Sequence, residues 1–285
     1  MSIVVTGATG SLGRFVVEGL LEKVPAEQIT AVARSREKAA AFAARGVRIA
    51  IADYNDPETF DGLFAAGDKV LLISGTEFDK GRVGQHKIVL DAARAAGVAL
   101  FAYTSALGAL TATLADDHRG TEAAILESGL PYVFLRNNWY NENYTERLAP
   151  VLETSTVTQA AGEGRVASAS RADYAAAAVA VLTGEGHENT AYELSGDTAW
   201  GFAELAAELS RQTGGEIVYR PVSVDAFSDI LTGHAGLPAP IAALLTGMES
   251  AIEKGELAGA DGELGRLIGR PTTPIADSIA LALKE

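Results

Sequence analysis

Short apolar runs alternate with alanine-rich stretches along the first half of this chain. The runs are Ile3 to Thr6, Ile29 to Ala33, Val47 to Ala52, Val70 to Ile73, Leu100 to Tyr103 and Tyr132 to Leu135. Each has strand length and is rich in Val, Ile, Leu or aromatic residues. The segments between them, such as Gly13 to Lys23 and Gly84 to Ala95, place apolar side chains at helical spacing. Strands that are apolar at nearly every position are buried on both faces, so the pattern predicts a βαβ series whose parallel sheet is covered by helices. Gly46-Val47, Gly97-Val98 and Gly129-Leu130-Pro131 each put a glycine where a helix should end before the next strand.

After Arg136 the rhythm changes to an aromatic and asparagine cluster, NNWYNENY, then a Thr-rich run and Gly162-Glu163-Gly164. From about Thr190 onward helical segments dominate, with one or two short strands. A chain of 285 residues fits one α/β unit with a smaller appendage. The expected architecture is a Rossmann-type, doubly wound parallel sheet over residues 1–189, with 137–170 contributing to a substrate pocket, followed by a small, mostly helical substrate or lid domain over 190–285. The alanine-rich stretches read as helix-packing surface.

Composition narrows the chemistry. With 23 basic and 37 acidic residues the net charge is −14, which disfavours nucleic acid and anionic membrane surfaces as partners. The absence of cysteine excludes disulfides, thiolate nucleophiles and Cys-ligated metal, so redox chemistry would need a bound cofactor. The uncharged stretch between Arg94 and Asp116 has the length of a membrane span, but Gly97, Gly108, Thr104, Ser105, Thr111 and Thr113 break it, and it reads as a buried strand followed by a polar loop. The N-terminus, MSIVVTGATG, lacks a basic n-region and an apolar core of signal-peptide length, so a cytoplasmic protein is expected. No histidine has ligand-like spacing, and no metal is expected.

The strongest motif is Gly7-Ala8-Thr9-Gly10-Ser11-Leu12-Gly13, a glycine loop directly after the first strand and opening the first helix. Such a turn lets the backbone approach a pyrophosphate, which rests on the free N–H groups of the helix N-terminus. At the end of the second strand, Ala33-Arg34-Ser35-Arg36 carries cations where an NAD site would carry a carboxylate. Arg34 suits a 2′-phosphate and favours NADPH, unless both arginines only form a solvated helix entrance. The other strand ends carry Asp53-Tyr54, Ser74-Gly75-Thr76, Thr104-Ser105 and Asn137-Asn138. Together they would line one crevice, with Asp53 near the adenine, Ser74 along the cofactor backbone, and Thr104, Ser105 and Asn137 near the nicotinamide.

No lysine follows a tyrosine at the fourth position, so the Tyr-x-x-x-Lys acid of the short-chain dehydrogenases is missing. His118-Arg119-Gly120-Thr121-Glu122 stands in its place. Carbonyl and alcohol substrates become less favoured. A quinone, whose reduced oxygens take protons from solvent, needs only a positioned nicotinamide. His118 is either a proton donor or a helix-surface residue pairing with Glu122; His86 reads as a packing residue. Trp139 and Tyr140 are either an apolar face for a planar substrate or core residues beneath a lid. Arg171 heads an alanine-rich helix within reach of the crevice, and Asp173 suits its first turn.

The segments VTGATGSLG, AVARSREKA, LLIS, QHKIVLDAARAAGV, AYTS, LRNNWYNENY and SRADYAAAA resemble the NmrA-like branch of the atypical short-chain dehydrogenases/reductases. Within it the similarity is greatest to the type 2 quinone oxidoreductases and the triphenylmethane reductases. It covers nearly the whole chain and weakens after about Ser223. The resemblance implies an NADPH-dependent enzyme that passes a hydride to quinones; the sequence leaves open whether it is a monomer or a homodimer. Gly7, Thr9, Gly10, Ser11, Leu12 and Gly13 would hold the pyrophosphate and Arg34 the 2′-phosphate. Asn137, Asn138, Trp139, Tyr140, Asn141, Glu142 and Arg171 would surround the nicotinamide, Asn137 and Tyr140 being the candidate catalytic residues. Asn138 and Gly75 stand where this family more often has glycine and serine, which leaves substrate range the more open question. A redox-sensing regulator that binds NADP(H) without turnover, or a reductase of triphenylmethane-type dyes, are the alternatives.

Overall fold

A computed structural model describes residues 2–76 and 81–284. Its strands, in chain order, are β1 (Ile3–Val5), β2 (Ile29–Ala33), β3 (Arg48–Ile51), β4 (Lys69–Leu72), β5 (Leu100–Ala106), β6 (Tyr132–Asn137), β7 (Thr156–Gln159), β8 (Arg165–Val166), β9 (Thr190–Leu194), β10 (Trp200–Gly201) and β11 (Val218–Pro221). The helices used below are α1 (Gly13–Leu21), α2 (Ala40–Ala43), α3 (Arg82–Ala96), α4 (Asp116–Ser128), α5 (Glu142–Thr145), α6 (Leu148–Thr154), α7 (Arg171–Thr183), α8 (Phe202–Thr213), α9 (Val224–Asp229), α10 (Ala239–Glu253), α11 (Glu263–Ile268) and α12 (Ile275–Ala282).

Seven strands form one sheet in the order β3-β2-β1-β4-β5-β6-β9, every neighbouring pair parallel. This is the expected doubly wound Rossmann sheet, with its order reversing between β1 and β4. The central strands are buried along nearly their whole length, as their apolar composition requires, while edge strand β3 is exposed at both ends. One face packs on α1, α7 and α11, the other on α3 and α4. Gly19 of α1 lets α7 lie close to it: a Cβ there would stand 3.0 Å from Val179. Helix α3 ends at Gly97, whose φ of +68° is the left-handed cap that lets the chain turn into β5. The uncharged stretch after Arg94 therefore becomes the end of α3, strand β5 and a loop, and no helix among the described residues is long and apolar enough to cross a membrane.

The division between the two parts differs from the linear expectation. Thr190–Leu194, expected to open the small domain, is the seventh sheet strand and pairs with β6 from Val133↔Thr190 to Asn137↔Leu194. Residues of α6, β7 and β8 lie instead in the small lobe: β7 pairs with β11, β8 with β10, and Leu148, Val157 and Val166 share a core with Trp200, Phe202, Leu209, Ile252 and Ile279. Helix α11 returns to pack on α7 and β9. The chain crosses between lobes several times because each lobe completes its core with segments distant in sequence.

Helix α10 is fastened to the end of β7 by a buried acid. Glu249 is 6% exposed, and its Oε2 accepts the Ala160 N–H at 2.8 Å. Burial pushes its carboxyl up to about 7, against the pull of the Ala160 and Ala161 amides. Starting from the ordinary value of 4.5, the folded chain retains a proton that the unfolded chain loses between these two pH values. The resulting stability is complete below 4.5 and disappears as pH rises through 7. Glu249→Gln, whose amide oxygen still accepts from Ala160, should flatten the pH dependence of unfolding, removing a difference on the order of 3 kcal/mol. Denaturant melts of both proteins across this range test it, and parallel curves would rule Glu249 out as the source.

Candidate active site

A cavity of about 820 Å³ runs along the carboxyl ends of the strands, from the glycine loop to helix α10. Its phosphate end is built by β1. Gly7 turns the chain at φ +60°, the Ala8 N–H donates to the Val32 carbonyl, and the Gly10 N–H donates back to Gly7 O at 3.0 Å. A Cβ on Gly13 would fall 2.2 Å from Gly7 O and 2.8 Å from Ala8 Cα, so only glycine lets α1 begin this close to the loop. No side chain caps that helix, and its first amides face a cavity lined by Gly7, Thr9, Gly10, Ser11, Leu12 and Gly13. Tyr54 braces the loop from below, its hydroxyl 2.5 Å from Thr6 Oγ1 and 2.9 Å from Ile73 O, and burial keeps it protonated.

Arg34 lines the cavity at the end of β2, as expected, together with Ser35 and Lys38; Arg36 does not. Lys38 lies in the segment AVARSREKA, but nothing in its local sequence distinguishes it from a surface lysine. Asp53 lies at the end of β3, where its Oδ1 accepts the Asn55 backbone and side-chain N–H groups at 2.9 and 3.0 Å.

Beyond β4 two histidines organise the chain, His86 from behind the cavity and His118 on its wall. The Gly75 N–H donates to His86 Nε2 at 3.0 Å, so the ring proton sits on Nδ1 and points to Thr121 Oγ1 at 2.9 Å, which itself donates to Asp117 O. Burial pushes His86 down to about 3 and holds it neutral. The packing residue expected from the sequence thus ties the end of β4 to α4. His118 also lines the cavity, but it does not pair with Glu122. Its Nε2 lies 3.1 Å from Arg82 Nη1 and its Nδ1 2.9 Å from the Tyr103 hydroxyl. Burial first, then the Arg82 charge, push it down to about 3, so at neutral pH it carries no acid proton of an imidazolium.

Glu122 binds Ser105 Oγ at 2.6 Å and receives a two-pronged bond from Arg136, Nε at 2.9 Å and Nη2 at 2.7 Å. Arg136 Nη1 reaches Glu193 Oε1 on β9 at 2.7 Å, and these carboxylates hold the guanidinium firmly charged. This buried network lies under the next residue, Asn137, whose Oδ1 is buried without a hydrogen-bond partner on the cavity wall. The Asn137 amide lies against the Tyr140 hydroxyl and offsets part of the rise that burial imposes on it. The Tyr140 ring packs edge-on against Tyr174 at 5.3 Å, with the Arg171 guanidinium 5.5 Å from its centroid. Arg171 is itself paired with Glu146.

Four expected site residues stand elsewhere or are otherwise committed. Thr104 lies outside the lining and receives the Ser74 N–H at 2.9 Å, so it positions the β4 end from behind. Asn138 lines the cavity, but its Nδ2 is bound to Ala167 O and Leu257 O and its Oδ1 to the Trp139 N–H. Asn141 faces the small lobe, bonding Thr273 O, Ser278 Oγ and Ser168 Oγ. Glu142 accepts the Arg171 N–H through both oxygens at 3.0 Å. Helix α5 starts at this point and turns the last two away, leaving Asn137, Trp139 and Tyr140 on the cavity.

The far end is apolar. Leu107 and Leu114 from the loop after β5 face Leu244, Met248 and Leu257 of the small lobe. Thr113 fastens that loop to Glu256 with bonds of 2.6 and 3.0 Å. Leu107 and Leu114 sit in the uncharged stretch after Arg94 and the others in the C-terminal part of the chain, and no motif singles them out as cavity wall.

The cavity suits a dinucleotide. An uncapped helix N-terminus fits a pyrophosphate, cations fit a further phosphate, and the buried acceptors Asn137 Oδ1 and Gln85 Oε1 lack donors. Among the described residues no group of His, Asp and Glu could hold a metal ion.

Comparison with known proteins agrees. The family model described as NAD(P)H-binding matches residues 7–185. Quinone oxidoreductase 2 of Escherichia coli (strain K12) is 44% identical over 280 residues, 98% of this chain and 97% of that one. The crystal structure of the Escherichia coli NADPH-dependent quinone oxidoreductase complexed with NADPH superimposes with a TM-score of 0.95 over 99% of each chain at 44% identity. Citrobacter sp. triphenylmethane reductase complexed with NADP(H) superimposes with a TM-score of 0.94 over 99% of this chain and 100% of that one, at 42% identity. The chain belongs to the NAD(P)H-binding family.

Proposed function

We propose that this protein is an NADPH-dependent oxidoreductase that reduces quinones. The observation that carries the reading is a single cavity joining the phosphate loop and Arg34 at one end to the apolar chamber of Leu107, Leu114, Leu244 and Met248 at the other. Bound NADPH would supply a hydride. Gly7 to Gly13 would hold its pyrophosphate, Arg34 and Lys38 its 2′-phosphate, and Asn137 its nicotinamide end through the open Oδ1. Tyr140, stacked beneath Arg171, would present a protonated hydroxyl to the acceptor. The similarity to quinone oxidoreductase 2 supports the same acceptor class here.

The protonation states favour a quinone over a carbonyl or alcohol. His118 is neutral, with both ring nitrogens engaged, and burial keeps Tyr103 and Tyr140 protonated. None of these groups is poised near neutral pH to exchange a proton in each turnover. A hydroquinone oxygen can take its proton from water, and catalysis then rests on proximity and orientation. The apolar chamber also supports a second reading, reduction of bulky planar dyes, in keeping with the similarity to triphenylmethane reductase.

Steady oxidation of NADPH by benzoquinones and naphthoquinones is the direct test. Cofactor binding with no oxidation by any acceptor would favour a redox sensor instead, and faster turnover of triphenylmethane dyes than of quinones would favour the second reading. Arg34→Ala should weaken NADPH binding about ten- to a hundredfold, the worth of a charge-assisted hydrogen bond, and leave NADH binding nearly unchanged. Equal losses would remove the 2′-phosphate from Arg34. With His118 held at about 3, the rate constant for quinone reduction should stay level from about pH 5.5 to 8. An inflection near the ordinary histidine value of 6.5 that vanishes in His118→Gln would identify His118 as a proton donor after all.

A further inference from the structure

Gln85 stands in the first turn of α3, only 5% exposed, on the wall of the cavity beside Asn55 and Gly75. Its carbonyl oxygen Oε1 is buried and has no hydrogen-bond partner. The direction of this side chain is dictated from a distance. The Asp53 carboxylate can only accept, and its Oδ1 takes Asn55 Nδ2 at 3.0 Å. With that nitrogen committed, Asn55 presents its Oδ1, which receives Gln85 Nε2 at 2.8 Å. Gln85 must therefore turn Oε1 the other way, toward the point beside Gly75 where a Cβ would lie 3.3 Å from it. Two amides in series carry the polarity of one carboxylate to the cavity wall, and reversing either would set oxygen against oxygen.

A buried, fixed acceptor calls for a ligand that donates. The glycine loop and Arg34 confine the adenosine half of a dinucleotide to this side of the sheet, beyond the ends of β2 and β3. Adenine offers an exocyclic amino group; a 6-oxopurine offers a carbonyl oxygen at the same position, which an acceptor repels. We propose that Gln85 recognises the 6-amino group of the cofactor's adenine, and that Asp53 acts through Asn55 as the positioning residue that keeps the Gln85 oxygen forward. Gly75 contributes by leaving the space in front of that oxygen open. The inference rests on the NADPH reading and adds to it a purine-selective contact outside the glycine loop and the phosphate cations.

Direct binding, by calorimetry or quenching of Trp139 fluorescence, tests the proposal with NADPH and its hypoxanthine counterpart, which differs only in carrying oxygen in place of the amino group. The wild-type protein should prefer NADPH by roughly tenfold or more, the scale of one hydrogen bond exchanged for an unpaired acceptor. Gln85→Met keeps the bulk and removes the acceptor, and should bring the two affinities to within about threefold, mainly by weakening NADPH. Asn55→Ala leaves Gln85 in place but frees its amide to turn and donate, and should tighten the hypoxanthine dinucleotide. If NADPH binds well and both variants keep the wild-type ratio, Gln85 does not read the base. If the wild-type protein binds neither dinucleotide, the cofactor reading itself fails and this inference falls with it.

Discussion

The end of β6 is the fixed point on which the cavity depends. Asn137 can face it with an open oxygen because the residues on either side are fully engaged elsewhere. Arg136 is locked between Glu122 of α4 and Glu193 of β9, and Asn138 is locked to Ala167 and Leu257. Burying a guanidinium is tolerable only while its carboxylates remain; taking away one partner of such a pair generally costs about 3–5 kcal/mol because the other charge is left uncompensated. Glu193 extends the same network by accepting the Gly108 N–H, which anchors the start of the loop carrying Leu110 and Leu114. One buried arginine thus positions the β6 end, the outermost sheet strand and the root of the cavity roof together.

Charge is distributed against the grain of the whole molecule. A protein of net charge −14 repels anions at long range, so a dinucleotide phosphate must be held by short-range contacts. Arg34 and Lys38 supply cations at the phosphate end, and the uncapped start of α1 supplies oriented amides. Arg171, which the sequence alone suggests as a second cation of the crevice, has its charge balanced by Glu146 and supports the Tyr140 ring instead. Arg34 and Lys38 stand where phosphate is expected, while at the acceptor end leucines and a methionine make up most of the wall and Glu256 is held by Thr113.

The strands, their parallel order and the glycine loop were legible because each depends on local sequence: apolar runs of strand length, glycines at helix ends, and a loop in which Gly13 has no room for a Cβ. Strand β9 is not legible as part of the sheet, because TAYEL is only half-buried at the sheet edge and lacks the continuous apolar character of β4 or β5. Asn141 and Glu142 read as site residues because they share a motif with Asn137 and Tyr140. Their diversion is decided by the start of α5 and by distant partners, Thr273 and Ser278 more than 130 positions away for Asn141 and the Arg171 N–H for Glu142. Lys38, Gln85 and the α10 residues Leu244 and Met248 are illegible for the same reason: what they contribute is a position in space, and their local sequence has no signature.

The two lobes are tied so often that the cavity is shaped before any ligand enters. Asn138 bonds the segment after α10, Asn141 and Asp173 bond the chain around Thr273, and Thr113 bonds Glu256. These ties come from the ends of β6 and α5, from α7 and from the β5 loop, so a rigid-body opening of the small lobe would have to break several of them at once. Orientation is what such an arrangement offers a reaction that lacks a dedicated acid: the reacting partners meet in a slot whose walls are already placed, and little of the binding energy is spent on closing it. The missing Tyr-x-x-x-Lys pair and the many ties between the lobes point the same way: in the proposed reaction the protein's main contribution is to hold the reactants, with proton transfer left to solvent.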